Sequence, residues 1–310
     1  MNDSLYIVRN YRPADFDNYT HFSIETEKLD PAGRCISPQF LSESLRQPNY
    51  SPEQDMLVVE IDGKLVGYLN VLPELASRRV ILDCLLHPKH RRKQLTRKLL
   101  DYAIRRAREL NAEVVRVNIS HDNTIAREAL SKLGFKAARR FLELRLQLTE
   151  VSFTDANLNA HLLRRLQCDE EDKLAQIQNR CFAGSWEYNP NTTEEIAYCL
   201  NMRRCMPEDV VLIYDGDKPI GYCWTMIDSE TDSADSEKKG RIYMLGVDPD
   251  YRGRGMGRVA LIGGLSHLKT RGARVVDLTV NSENTAACTL YHSIGFRIRT
   301  SRLWYEKTID

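Results

Sequence analysis

The stretch "VDPDYRGRGMGR", residues 247–258, decides how the rest of the chain is read. It closes an apolar run, "RIYMLGV" (241–247), with the character of a β-strand. Pro249 ends that strand, because it has no N–H to give to a ladder. From about Gly257 to Arg271 the pattern is helical, and Gly272 is its stop. A strand, a run of free N–H groups and a helix N-terminus together attract anions, since the donors and the helix dipole point the same way. Glycine at 253, 255 and 257 removes the Cβ atoms that would keep a pyrophosphate off the backbone, and Arg252, Arg254 and Arg258 add positive charge. The stretch is not a P-loop, which requires G-x-x-x-x-G-K-[ST]. Nor is it the dinucleotide G-x-G-x-x-G, because residue 258 is arginine.

An eroded copy lies upstream. "LHPKHRRKQLTR" (86–97) aligns at an offset of 161 residues and has lost every glycine. The register runs without a gap from Pro88 and Pro249 to Phe135 and Phe296. Along it Arg91 meets Arg252, Arg97 meets Arg258, "AEVVRV" (112–117) meets "ARVVDL" (273–278), and Asn123-Thr124 meets Asn284-Thr285. Before each copy stand two β-branched runs joined at Asp-Gly: 56–72 with Asp62-Gly63, and 210–227 with Asp215-Gly216. Mainly helical segments, about 13–46 and 169–202, precede these hairpins. In the first copy a helix is expected over 96–110, with Leu95, Leu99, Ala103, Ala107 and Leu110 on its apolar face. The acidic run 228–240 reads as a loop and the polar run 149–159 as a linker. Two domains are therefore expected, at about 1–150 and 151–310. Each is of α/β (α+β mixed-sheet) class, a mostly antiparallel central sheet flanked by helices.

Bulk properties exclude several classes. With 42% hydrophobic and 28% charged residues the chain can bury a proper core. A net charge of +1 gives no overall bias towards nucleic acid or membrane. No apolar run approaches the ~20 residues of a bilayer span, and the N-terminus lacks a secretory apolar segment. The 8 cysteines are scattered, with no C-x-x-C pair and no zinc-like spacing, which points to reduced thiols, a cytoplasmic setting and no metal.

Residues 247–257 follow the pattern V-x-P-x-[YF]-[QR]-x-x-G-x-[GA]; Asn284 and Tyr291 come next, the latter just before Gly295-Phe296. In this the second copy resembles the GNAT superfamily of acyl-CoA-dependent N-acyltransferases, and the pair of copies resembles the tandem arrangement of mycothiol synthases. The resemblance implies transfer, in the second domain, of an acetyl group from acetyl-CoA to a primary amine, expected to be that of a small metabolite. By resemblance, Leu245, Gly246 and Val247 line the pantetheine arm and residues Arg252, Gly253, Arg254, Gly255, Met256, Gly257 and Arg258 wrap the pyrophosphate. Asn284 and Ala287 complete the cofactor side. Tyr291 would be the general acid for the leaving thiolate, its ordinary pKa of ~10 lying near that of a thiol.

The acceptor side is expected from "CFAGSWEYNPNTTEE" (181–195), where Trp186, Glu187 and Tyr188 sit in a loop before a helix capped by Thr192 or Thr193, together with Tyr243. Candidate bases are Glu187, Asp228 or a water held by Tyr243. Mycothiol synthases tend to carry a glutamate near the start of the strand ending in G-V-D-P, where this chain has Arg241. In the first copy Arg92, Gln94 and Thr96 replace the glycines and Leu130 replaces Tyr291, so that domain is expected not to catalyse. Its basic run between 89 and 108 leaves open a phosphate-rich partner, although no interleaved aromatics support base stacking. Alternatives to a small-molecule acetyltransferase are a peptide acetyltransferase, a non-catalytic acyl-CoA binder and a nucleic-acid-associated protein.

Overall fold

The β-branched runs on either side of each Asp-Gly form antiparallel hairpins around which two sheets are built. The computed structural model describes residues 6–29, 36–91, 93–150, 162–202, 205–228 and 238–309. Most of the linker anticipated at 149–159 and most of the acidic loop at 228–240 lie outside the described residues. In chain order the first repeat holds β1 (Ile7–Asn10), α1 (Phe16–Leu29), α2 (Pro38–Ser44), α3 (Pro52–Asp55), β2 (Met56–Ile61), β3 (Lys64–Glu74) and β4 (Arg79–Leu86). It continues with α4 (Lys93–Glu109), β5 (Val114–Ser120), α5 (Thr124–Lys132) and β6 (Lys136–Gln147). The second holds β7 (Leu163–Arg165), α6 (Glu171–Phe182), α7 (Thr193–Leu200), β8 (Val210–Asp215), β9 (Lys218–Asp228) and β10 (Lys239–Val247). After these come α8 (Met256–Thr270), β11 (Val275–Asn281), α9 (Thr285–Ile294) and β12 (Arg297–Thr308).

The chain packs as two units whose closing strands are exchanged. One unit is Met1–Arg139 with Arg302–Asp310, and the other is Arg140–Ser301. The division at 150 read from the linker therefore does not coincide with the packing, because β6 leaves its own repeat. In the first unit the strand order is β1-β2-β3-β4-β5-β12, and in the second β7-β8-β9-β10-β11-β6. Each sheet is antiparallel except for one parallel pair, β4–β5 in the first and β10–β11 in the second. The alternation of 136–147 fixes which face of the strand is apolar, but the same face suits any sheet of this design.

The exchange reaches the cores. Leu144, Leu146 and Leu148 are buried in the second unit among Ile242, Leu261, Leu265, Val276 and Leu278. Arg145 on β6 clasps Asp277 on β11 with two bonds of 2.6 Å. Conversely, Tyr305 and Ile309 fill the core of the first unit beside Leu99, Ala103 and Val115. The apolar face anticipated on α4 is buried at Leu95, Leu99, Ala103 and Ala107, while Arg97, Lys98, Arg105 and Arg108 remain exposed. No described helix is long and apolar enough to cross a membrane, and the seven described cysteines are free.

Leu144 is 1% exposed, so Leu144→Ala should destabilise the second unit by about 2–5 kcal/mol in denaturant unfolding. The same change at exposed Gln147 should stay within about 0.5 kcal/mol.

Candidate active site

The parallel ladder between β10 and β11 stops early. Its rungs run from Lys239–Val275 to Ile242–Leu278, and beyond them Tyr243 to Val247 have no partner on that side. A bulge against β9 between Ile242 and Met244 turns β10 away at the same point. Further along, the Asp248 N–H donates to the Ile220 carbonyl on β9 at 2.8 Å. Backbone groups alternate sides along a strand, so Val247 and Leu245 turn their N–H and C=O into the gap. Gly246 lies between them with Cys181, Phe182 and Tyr222 packed so closely that a Cβ would fall 2.8–3.0 Å from their atoms.

The gap opens onto the loop. Gly253 and Gly255 adopt positive φ, 74° and 81°, and Gly255 is the N-cap of α8, whose first N–H groups have no side-chain cap. A Cβ at residue 255 would meet nothing within 4 Å, so glycine serves the backbone conformation there and leaves the approach clear. Gly257 lies inside the helix, where a Cβ would come within 3.4 Å of Leu290. Met256 is half-buried against the core.

The arginines divide their work. Arg252 does not project towards the loop's N–H groups. Its Nε donates to the Val247 carbonyl at 3.1 Å and its Nη2 to the Cys181 carbonyl at 2.6 Å, tying the loop to the end of α6. Arg254 lies 5.4 Å from the centre of the Tyr251 ring, and Arg258 donates to Ser293 Oγ at 3.1 Å. A second tie escaped the sequence reading. Arg180 on α6 donates to the carboxylates of Asp248 and Asp250, and Asp248, 0% exposed on its side chain, also accepts the Asp250 N–H at 3.0 Å. The motif contained Asp248, but the exposed guanidinium that pairs with this buried carboxylate comes from a segment 68 residues away.

Asn284 caps α9: its Oδ1 accepts the Ala287 N–H at 3.1 Å, which commits both groups. Asn123 caps α5 in the same way on Ala126 at 3.0 Å. Tyr291 is buried and packs edge-on against Phe296, with ring centres 5.8 Å apart. Burial drives its phenol well above its ordinary pKa, and the neighbouring Cys223 and Cys288 thiols push the same way. The phenol therefore keeps its proton throughout the physiological range. No described residue hydrogen-bonds its hydroxyl, and that oxygen is not among the sealed, partnerless side-chain atoms.

On the acceptor side the four expected residues do not point one way. Tyr188 faces inward, stacked on Phe182 at 5.2 Å, with its hydroxyl donating to Asn179 Oδ1 at 2.7 Å. Burial raises its pKa to about 12. Trp186 is half-buried and Glu187 exposed in the same loop. Thr192 is the cap of α7, in a capping box with Glu195. Tyr243 is 50% exposed at the mouth of the gap, edge-on to Trp224 at 5.1 Å. The side chain of Asp228, a candidate base, lies outside the described residues.

In the first unit the ladder β4–β5 also stops short, at Leu82–Val117, and Arg91 Nε donates to the Leu86 carbonyl at 3.2 Å. That bond is the counterpart of Arg252 to Val247. The helix, however, starts sooner: α4 begins at Lys93, two positions earlier than α8 in the repeat register, and earlier than the expected start at 96. Without glycines to hold positive φ, the loop residues join the helix.

A parted parallel strand pair leading into a glycine-capped helix is the architecture of acyl-CoA-dependent transferases. The model of the Acetyltransferase (GNAT) family matches residues 23–135 and 172–296, once in each repeat, and the chain belongs to that family. Among its relatives is a mycothiol acetyltransferase of Geodermatophilus obscurus, 29% identical over 295 residues, 88% of this chain and 93% of the relative. Another, of Thermobifida fusca, is 32% identical, covering 71% of this chain and 72% of the relative. A GCN5-related N-acetyltransferase of Sphaerobacter thermophilus shares the fold with a TM-score of 0.72 at 19% identity, over 99% of this chain and 97% of its own. So does a tandem GNAT protein from the clavulanic acid biosynthesis pathway, with a TM-score of 0.68 at 16% identity, over 98% of both chains. The protein is an acyl-CoA-dependent N-acetyltransferase with two tandem GNAT domains.

The Arg180 guanidinium holds the Asp248 carboxyl below its ordinary pKa. A carboxylate whose pKa is lower in the folded chain than in the unfolded one adds stability above its unfolded pKa, ~4, and loses it as pH falls through the folded value. Asp248→Asn should therefore flatten the acid limb of a stability-versus-pH curve below about pH 4–5, measured by chemical denaturation, and should loosen acetyl-CoA binding at pH 7.

Proposed function

We propose that the second unit transfers the acetyl group of acetyl-CoA to the primary amine of a small metabolite, and that the first unit does not catalyse. The observation that carries this reading is the continuity of three features in one unit: the unpaired edge of Leu245–Val247, the N-cap at Gly255 and the protonated phenol of Tyr291. In the first unit the helix begins at Lys93 with no glycine at its start, and Leu130 stands in the place of Tyr291. The relatives' name, mycothiol acetyltransferase, supports a small-molecule acceptor.

Gap-facing N–H groups of Leu245 and Val247 hold the pantetheine arm and polarise the thioester carbonyl. A fixed donor of this kind contributes about 3 kcal/mol to lowering a barrier. The N–H groups at the start of α8, with Arg254 and Arg258 at the rim, receive the pyrophosphate. Arg252 acts one step back, holding the loop in shape. As the amine nitrogen bonds to the acetyl carbon and the carbon–sulfur bond breaks, Tyr291 gives its proton to the departing sulfur, while the proton lost by the amine nitrogen passes to solvent, from which the phenolate is recharged. The raised pKa keeps the donor loaded but makes it a weaker acid, so the transfer is balanced only for a thiolate raised by the same apolar surroundings.

Tyr291→Phe should lower kcat by about 10²–10⁴ while leaving the affinity for acetyl-CoA within a few-fold. Leu130→Ala, the matching change in the first unit, should leave kcat within about twofold if the fold is kept. Undiminished turnover in Tyr291→Phe would remove the phenol from the mechanism.

A further inference from the structure

One face of the second unit's sheet is buried under α8, which packs on Ile242, Val276, Leu278, Leu144 and Leu146. Residues alternating with these point to the opposite face, where Trp224, Tyr222 and Met244 pack beneath α6 and α7. Arg241, Asp277 and Arg145 lie side by side on that second face, because Arg241 is in register with Asp277 and Asp277 with Arg145. Across the three strands the order of charge is plus, minus, plus.

The minus charge is already taken. Arg145 spans both oxygens of Asp277 at 2.6 Å, and Arg299 approaches Oδ2 at 3.5 Å. Arg241 is exposed and, among the described residues, has no hydrogen bond, ion pair or ring contact. A guanidinium next to a carboxylate normally pairs with it, so two competing arginines on Asp277 leave this fork uncommitted. Its position is the telling part. The last rung before the gap is Ile242–Leu278, so Arg241 stands one residue before the gap opens and exposed Tyr243 one residue beyond. An acceptor amine must reach the thioester through this mouth.

We propose that Arg241 recognises an anionic group, a carboxylate or a phosphate, on the acceptor, so that the substrate is an amine carrying negative charge away from its reacting nitrogen. This rests on the assignment of the reaction to the second unit. The planar fork fits two oxygens of either group, and the surrounding Arg145 and Arg299 add a positive field over Asp277. Tyr243 offers the face on which the body of the acceptor lies.

The test uses the full chain saturated with CoA, titrated calorimetrically with matched amines: glycine and glycinamide, phosphoethanolamine and ethanolamine, glucosamine 6-phosphate and glucosamine. In at least one pair the anionic member should bind about tenfold tighter, as a new charge-assisted fork would give. Arg241→Gln should erase that difference without changing CoA affinity, and Arg241→Lys should restore part of it. Equal affinity within every pair, no binding by any anionic member, or a preference that survives Arg241→Gln would overturn the proposal. Parallel assays of acetyl-CoA consumption read the transfer step by itself, so failure of the Tyr291 assignment is seen separately from failure of anion recognition.

Discussion

The site depends on a ladder that stops. Leaving buried backbone groups unpaired costs about 1–3 kcal/mol for each one, so two strands that begin as partners part only when both are held elsewhere. β10 is held by β9 as far as Val247, and β11 is held by β6 along its whole length, from Val275–Gln147 to Asn281–Phe141. With both outer edges fixed, neither strand can swing inward to close the gap. The Val247 carbonyl is satisfied by Arg252, and the remaining gap-facing groups of Leu245 and Val247 are left without a strand partner.

The exchanged strand gives the eroded repeat a physical reason to persist. β6 is encoded by the first repeat, yet it pairs with the far side of β11, the strand that borders the gap, and supplies two buried leucines to that core, with Leu148 following as a third. β12, encoded by the second, closes the first unit's sheet on β5. Each repeat thus needs a strand from the other, whatever chemistry it has lost. What the first has kept agrees with this. The arginine bond to the carbonyl at the strand end and the asparagine cap recur in both units, while the glycine loop and the phenol survive in one.

The sequence displayed the repeat, its hairpins and the anion loop because each rests on local chemistry: β-branched alternation, Asp-Gly turns and glycines that require positive φ. The apolar face of α4 was equally plain. The exchange of β6 and β12 was not, since strand alternation specifies a face and not a neighbour. Arg252 and Tyr188 were named as ligand-facing residues, but Tyr188 gives its hydroxyl to Asn179 and Arg252 gives its Nε and Nη2 to backbone carbonyls. Their partners, the Cys181 carbonyl and Asn179, lie on α6, and no spacing rule connects α6 to the loop. The start of α4 moved for a related reason: deleting glycines did more than crowd the loop, it let the helix grow through it. Arg241 was visible as a departure from the pattern that the resemblance implies, but only the occupied oxygens of Asp277 show that its charge is unspent.

The central claim is that one acyl-CoA binds, and that it binds on the loop capped by Gly255. Calorimetric titration of acetyl-CoA into the wild-type chain and into Gly255→Gln tests it most directly, because stoichiometry and affinity come from one curve. The account predicts one molecule bound per wild-type chain and none by the variant, with the variant still unfolding cooperatively. Unchanged binding by Gly255→Gln, or no binding by the wild type, would contradict it.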